Sequence, residues 1–310
     1  LCDDGRAGHA PGLGWVADMA SPDSSLALSD ALQRAAARLA EAGIPDPVVD
    51  AELLTGFVLG SGRGGVQAAA LRGDALDPGD ARRLEELVAR RATREPLQHI
   101  TGLAPFRHLE LRVGPGVFVP RPETEVVAQL AIDALRAAAS ASPIAVDLGT
   151  GSGAIALSMA TEVPHAQVFA AENSVDAFVW TKENFAHVGA DNARLAFIDL
   201  AQAFPELDGT VSVVASNPPY VPDAAIPRDP EVRFFDPPAA LYGGADGLDV
   251  VRVLSAVGLR LAHPGGTIVI EHGEWQGAEI RELLAADGWR ATATHPDLTM
   301  RDRATTALRP

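Results

Sequence analysis

Asn217, Pro218, Pro219 and Tyr220 follow one another at the end of the apolar run Val211-Ser212-Val213-Val214-Ala215-Ser216, and they carry the groups needed to hold a planar NH₂. The Asn217 side-chain oxygen and the Pro218 carbonyl can each accept a hydrogen from one nitrogen, while the Tyr220 ring covers the flat face of the amide or base that bears it. The two prolines fix φ and stiffen the turn, and Pro219 leaves no backbone donor there to compete for a neighbouring carbonyl. A plain Pro-rich strand exit uses the same residues, so the tetrapeptide needs support from elsewhere in the chain.

That support lies upstream. Val146-Asp147-Leu148-Gly149-Thr150-Gly151-Ser152-Gly153 is a strand running into a glycine turn and then a helix, which is where an open α/β sheet binds nucleotide-like ligands. Glycine suits such a turn because a Cβ would block close backbone approach. Gly149, Gly151 and Ala154 also satisfy the looser dinucleotide pattern, with Glu172 about 20 residues on, as a ribose-binding acid should be. A nicotinamide oxidoreductase therefore stays open at this point, although hydride chemistry gives Asn-Pro-Pro-Tyr no task. The two carboxylate oxygens of Glu172 can accept from both ribose hydroxyls. Asp199 closes the next strand-like run, either beside an adenine or as an ordinary polar terminus. Asp147 either contacts the cofactor or caps the turn.

These side chains need elements to position them, and the apolar periodicity supplies them. Residues 1–25 mix Gly, Asp, Pro and Ser without periodicity and are expected to form a disordered leader. From Leu26 the pattern is helical, with Leu28, Leu32, Ala35 and Leu39 on one face before Gly43. Asp46-Pro47 and Asp77-Pro78 are each expected to supply an N-cap and a first helical residue. Residues 26–95 thus form a small helical bundle whose arginines 82, 83, 90, 91 and 94 are either a solvated face or a docking surface. Residues 96–120, punctuated by Gly102, Pro105, Gly114, Pro115 and Gly116, are expected to be a hairpin linker. From residue 121 to 310 strand-like runs at 144–148, 167–172, 195–199, 211–216 and 267–271 alternate with helical ones, the pattern of a doubly wound, mostly parallel α/β sheet. Two further extended segments, 289–294 and 304–308, suggest a closing hairpin with an antiparallel edge strand.

The bulk numbers narrow the function classes. With 25 basic and 41 acidic residues the 310-residue chain has a formal net charge of -16, which argues against a broad nucleic-acid footprint. Its single cysteine, Cys2, allows neither an intrachain disulfide nor a cysteine-built zinc site, and the eight histidines have no metal-ligand spacing, so no metal is assigned. Without a transmembrane span or signal peptide in the pattern, a cytoplasmic location and no membrane association are expected.

With the glycine turn, the acid at the second strand end and Asn-Pro-Pro-Tyr after the fourth strand, the chain resembles the class I S-adenosylmethionine-dependent methyltransferases. The closer resemblance is to the HemK/PrmC family, which methylates the side-chain amide of glutamine in class I peptide release factors. It is carried also by Pro96-Leu97-Gln98-His99-Ile100-Thr101-Gly102, Val119-Pro120-Arg121-Pro122-Glu123-Thr124-Glu125 and Glu271-His272-Gly273, and it covers nearly everything after the leader. The resemblance implies a Rossmann-like seven-stranded sheet, S-adenosylmethionine as cofactor with S-adenosylhomocysteine as product, and the release factor as protein partner. The bundle is expected to dock a remote part of that substrate, and the acidic chain is expected to be a monomer with no stable nucleic-acid binding. The family's cofactor residues fall on Gly149, Thr150, Gly151, Ser152, Gly153, Glu172, Asp199, Leu200 and Asn217. Its catalytic residues fall on Asn217, Pro218 and Tyr220, and its substrate contacts on Asn217, Pro218, Pro219, Tyr220 and Phe106. Arg121 and Glu123 are placed near the cofactor by the same resemblance.

The chain departs from the family pattern in two places. Glu172 stands where Asp is common, and Leu200 offers adenine only an apolar contact where some relatives have an aromatic residue. A DNA adenine N6 methyltransferase would use the same acceptor pair on a flipped base. A glutamine methyltransferase acting on a ribosomal protein would use the same chemistry throughout, and an inherited fold retained for non-catalytic binding is a third class.

Overall fold

The computed structural model describes residues 26–310; the expected leader, residues 1–25, lies outside them. The chain divides into two compact units with the break between Ala89 and Arg90. In the first unit β1 (Leu26–Ala27) leads into α1 (Leu28–Glu41), which buries Leu28, Ala31, Ala35 and Leu39 at helical spacing. Next comes α2 (Pro47–Leu59), stopped by Gly60 in the left-handed conformation. Asp46 makes no side-chain cap there, contrary to expectation. The following α3 (Arg63–Arg72) has no strong sequence signal, because Gly64 and Gly65 lower its propensity. It is held instead by Glu52, whose carboxylate accepts from Arg63 Nε and, at 2.9 Å, from Gln67 Nε2. After β2 (Ala75–Leu76), antiparallel to β1, α4 (Pro78–Ala92) begins with the expected cap, Asp77 Oδ1 accepting from the Asp80 amide at 2.8 Å.

The second unit starts with α5 (Leu97–Thr101) and a hairpin of β3 (Leu103–Phe106) and β4 (Leu109–Arg112), in the register Phe106↔Leu109. There follow α6 (Thr124–Ala137), β5 (Ile144–Leu148), α7 (Ala154–Glu162), β6 (Gln167–Glu172), α8 (Val175–Val188), β7 (Ala193–Phe197) and β8 (Val211–Ser216). The segment after β8 holds two short helices, α9 (Pro230–Phe235) and α10 (Pro238–Leu241), each opened by a proline. The chain then forms α11 (Asp249–Leu261), β9 (Ala262–Glu271), α12 (Gly277–Asp287), β10 (Arg290–Pro296) and β11 (Asp302–Leu308).

Seven strands make one sheet in the order β10-β11-β9-β8-β5-β6-β7. The pairs from β9 to β7 are parallel and β11 is antiparallel to both its neighbours. The closing hairpin is therefore present, but the strand that runs against the rest is β11, one place in from the edge, because the hairpin folds back between β9 and β10. Helices cover both faces. All six residues of β8 and four of the five in β5 are buried, as central strands covered on both faces must be. From β5 the connections step outward to β6 and β7, and the chain then returns to place β8 on the other side of β5. That reversal between β5 and β8 opens a crevice at the carboxyl ends of the two strands, the general ligand position in such sheets.

Candidate functional site

A cavity of about 620 Å³ occupies this crevice, a size that accommodates a cofactor together with part of a substrate. One end is built by the turn after β5. Gly149 and Gly151 have φ of 71° and 57°, a conformation that a side chain strains. A Cβ at either would meet no protein atom within 4 Å and would instead enter open space at the cavity wall. The turn is tied down from behind. Asp147 Oδ2 accepts from the Thr150 hydroxyl at 2.6 Å and from the Ala156 amide at 3.0 Å. From α8, Thr181 donates to the Gly151 carbonyl and Asn184 Nδ2 to the Ser152 carbonyl. Burial pushes the Asp147 carboxyl up to about 7, against the pull of its bonds to Thr150 and Ala156.

Glu172 lines the cavity from the end of β6, and its oxygens already accept three backbone N–H groups: Gly151 at 2.8 Å, Asn173 at 3.0 Å and Ser174 at 2.7 Å. The extra methylene relative to Asp gives it the reach to brace the glycine turn. A carboxylate offers about four acceptor sites, so one remains for a ligand hydroxyl.

The other end is the turn after β8. Asn217, Pro218, Pro219 and Tyr220 all line the cavity. The Asn217 Nδ2 donates to the Thr124 hydroxyl at 3.3 Å, and no hydrogen bond from a described residue ends on Asn217 Oδ1 or on the Pro218 carbonyl. Burial pushes the Tyr220 phenol up, so it stays protonated and donates to Glu271 Oε1 at 3.5 Å. Glu271, at the end of β9, is itself buried; burial raises its carboxyl to about 7, with the Thr124 hydroxyl and the Arg303 guanidinium acting in the opposite sense. Gln276 staples the two turns together, donating to the Tyr220 carbonyl at 2.9 Å and accepting from the Gly273 amide at 2.9 Å. Gly247 lets the following segment pass close behind, since a Cβ there would lie 2.3 Å from the Tyr220 carbonyl oxygen.

Most of the residues singled out in the sequence meet here, but three do not. Phe106 does not line the cavity; it is buried in the hairpin's own cluster with Leu111, Ala128 and Leu157. Asp199 is also off the wall, because its oxygens accept from the Ala201 amide at 2.8 Å and Asn173 Nδ2 at 3.1 Å. Gly153 faces inward, against Phe185 and Leu157. Leu200, Arg121 and Glu123 do line the cavity, and Arg121 Nη2 is paired at 2.7 Å with the buried carboxylate of Asp236. Thr124, Glu271 and Arg303 are additional wall residues. The first two lie within Pro-Arg-Pro-Glu-Thr-Glu and Glu-His-Gly, so the segments were visible, though not the side chains that matter. Among the described residues no group of three or more His, Cys, Asp or Glu could hold a metal, and no helix is long and apolar enough to cross a membrane.

Comparison with known proteins gives the site its context. Residues 30–102 match the PrmC N-terminal domain and residues 108–239 the methyltransferase small domain. The release factor glutamine methyltransferase of Streptomyces coelicolor is 48% identical over 285 residues, covering 91% of this chain and 98% of that protein. The protein of the same name from Bifidobacterium longum is 43% identical, over 89% of this chain and 97% of its own length. In fold, the chain is similar to the 16S rRNA N2 G1207 methyltransferase of T. Thermophilus, solved in complex with AdoMet and guanosine, with a TM-score of 0.51 and 19% identity over 67% of this chain and 50% of that one. With near-full-length likeness on both sides and a cavity at the sheet's reversal point, the chain belongs to the release factor glutamine methyltransferase family.

Proposed function

We propose that the protein transfers a methyl group from S-adenosylmethionine to the side-chain amide nitrogen of the glutamine in the Gly-Gly-Gln motif of class I peptide chain release factors, with S-adenosylhomocysteine as the second product. The observation that carries this reading is the Asn217 side chain, whose NH₂ is committed to Thr124 and whose oxygen is left as an acceptor beside the Pro218 carbonyl. When bound, S-adenosylmethionine supplies a methyl group made electrophilic by its sulfonium. Gly149, Thr150, Gly151 and Ser152 would hold it along the turn, Glu172 would take a ribose hydroxyl and Leu200 would contact the adenine.

An amide nitrogen is a poor nucleophile because its lone pair is delocalised into the carbonyl. Asn217 Oδ1 and the Pro218 carbonyl accept its two hydrogens, turn the lone pair toward the methyl carbon and favour rehybridisation as the bond forms. Tyr220 covers the plane of the amide. One proton of the alkylated nitrogen is strongly acidic and passes to water once the methyl is transferred, so no dedicated base is required. Glycines flanking the target glutamine let its backbone come close enough to enter. Residues 26–95 dock a second part of the release factor and raise the effective concentration of its loop at the cavity.

The test is incubation with radiolabelled methyl donor and a purified release factor, followed by mass mapping of the labelled peptide. Label on the Gly-Gly-Gln glutamine is expected; label on duplex-DNA adenine or on a ribosomal protein instead overturns the reading. For the docking role, the KM of an isolated Gly-Gly-Gln peptide should lie far above that of the whole release factor. Equal values would remove it.

A further inference from the structure

The buried carboxylate of Glu271 has no part in the reaction as described above, yet it stands in the wall of the same cavity with 2% exposure and with its Oε2 without a hydrogen-bond partner among the described residues. Such an atom in a native interior calls for a reason. Its surroundings supply one. The Tyr220 hydroxyl faces Oε1 at 3.5 Å from the turn after β8, while Thr124 and Glu123 at the start of α6 and Arg303 on β11 line the same cavity and act on the carboxyl electrostatically. Arg303 is shared, with its Nε at 3.2 Å from Asp297 Oδ2. His272, the next residue along, turns away from the carboxyl; its ring is bonded to Thr305 Oγ1 at 2.9 Å and to the Gly273 carbonyl at 2.8 Å.

The direction of the hydrogen bonds decides what this cluster does. A hydroxyl has one hydrogen to give, and the Thr124 oxygen already receives one from Asn217 Nδ2. It is therefore free to send its own toward the carboxylate. We infer that Glu271 is a positioning residue, acting through Thr124 to hold the Asn217 amide with its oxygen toward the substrate nitrogen and through Tyr220 to hold the ring over the substrate plane. A neutral carboxyl can also donate, and when it does the order reverses: Glu271 donates to Thr124, Thr124 donates to Asn217, and the Asn217 NH₂ then faces the NH₂ it should accept from, an arrangement that the acceptor-only carboxylate excludes. The ionised form is thus the working form. Since burial has raised the carboxyl to about 7, the methyl-transfer rate should climb as pH rises through that value.

This rests on the methyl-transfer reading above, and the two are tested apart. The parent enzyme is assayed first with radiolabelled donor and a purified class I release factor across pH; absence of transfer sinks that reading and not merely the relay. Given transfer, Glu271→Gln should lower kcat about tenfold or more and flatten its pH profile near neutrality, with donor affinity by calorimetry unchanged. Thr124→Val should lower kcat comparably, and Thr124→Ser, which keeps the hydroxyl, should recover most of that loss. An intact pH inflection in Glu271→Gln, or equal rates in the Val and Ser variants, overturns the inference. Donor binding retained in each variant shows that the fold survives.

Discussion

The two ends of the cavity are built on opposite plans. At the glycine turn nearly all the polar groups are spent on one another: Glu172 takes three backbone amides, Asp147 Oδ2 takes the Thr150 hydroxyl and the Ala156 amide, and α8 holds the Gly151 and Ser152 carbonyls, so that of their buried side-chain atoms only Asp147 Oδ1 has no partner among the described residues. At the Asn-Pro-Pro-Tyr turn the described residues leave acceptors open, namely Asn217 Oδ1 and the Pro218 carbonyl, and Glu271 Oε2 is buried without a partner among them. The first end is a rigid shape that a ligand fills. The second is a set of unmet hydrogen bonds that only a group with the right donors can complete, and such sites discriminate strongly because a wrong ligand leaves them unpaired. Substitutions at the two ends should accordingly fail in different ways.

The largest effect is expected from Asn217→Ala, which removes one of the two acceptors while leaving the backbone turn in place. Loss of a preorganised polar contact to a developing charge typically costs about 100- to 1000-fold in kcat. Methyl transfer to a release factor should fall by that order, with donor affinity nearly unchanged in a calorimetric titration. Turnover close to that of the parent protein would break the contrast. Gly151→Val should do the reverse. At φ of 57° a branched side chain is strained, and its atoms enter the cavity where the donor is expected. Donor affinity should drop at least about tenfold, equivalent to about 1.4 kcal/mol, and kcat at saturating donor should suffer much less.

The difference between the ends also sets what the sequence could reveal. The glycine turn and the tetrapeptide are contiguous runs whose local geometry follows from residue type, and the parallel sheet follows from the alternation of apolar runs. Phe106 and Asp199 lie off the cavity wall because each has a local use: an aromatic ring in a hairpin cluster, and a carboxylate capping the turn that follows it. Thr124, Glu271 and Arg303 come together only because α6, β9 and β11 converge at one end of the sheet, which no spacing along the chain encodes. The short helix α3 was hidden for a similar reason, its two glycines offset by Glu52 reaching across from α2. The reversed strand was displaced by one position because sequence marks a hairpin but not the side on which it folds back.

A smaller effect, on stability, falls on both ends. Asp147 and Glu271 are each raised to about 7 from ordinary values of 3.8 and 4.5, with burial as the main cause. Between those values the folded protein keeps protons that the unfolded chain has released, so each group's contribution to stability is full below its ordinary pKa and is lost as pH rises to about 7. Buried His99 and His272, whose pKa values burial lowers, act the other way by losing stability as pH falls. The informative quantity is thus the change in slope on substitution. Asp147→Asn and Glu271→Gln should each make the denaturant midpoint decline less between about pH 5 and about pH 7 than it does in the parent protein. Superimposable pH profiles in all three proteins would mean that neither carboxyl titrates in that window.

The smallest effect is expected from Asp199→Ala, and it sharpens the comparison by testing where the donor end stops. Asp199 belongs to that end by sequence, but its two oxygens are bonded to the Ala201 amide and to Asn173 Nδ2, and it does not reach the cavity wall. Removing it uncaps a short turn, a change that costs about 1 kcal/mol of stability, and frees an Asn173 side chain that does line the cavity. Leu200, the next residue, keeps its apolar contact with the cavity. Donor affinity should therefore stay within about twofold of the parent value, against a conversion of about 1.4 kcal/mol per tenfold. A tenfold loss would return Asp199 to the adenine and show that its carboxylate leaves the Ala201 amide when the donor binds.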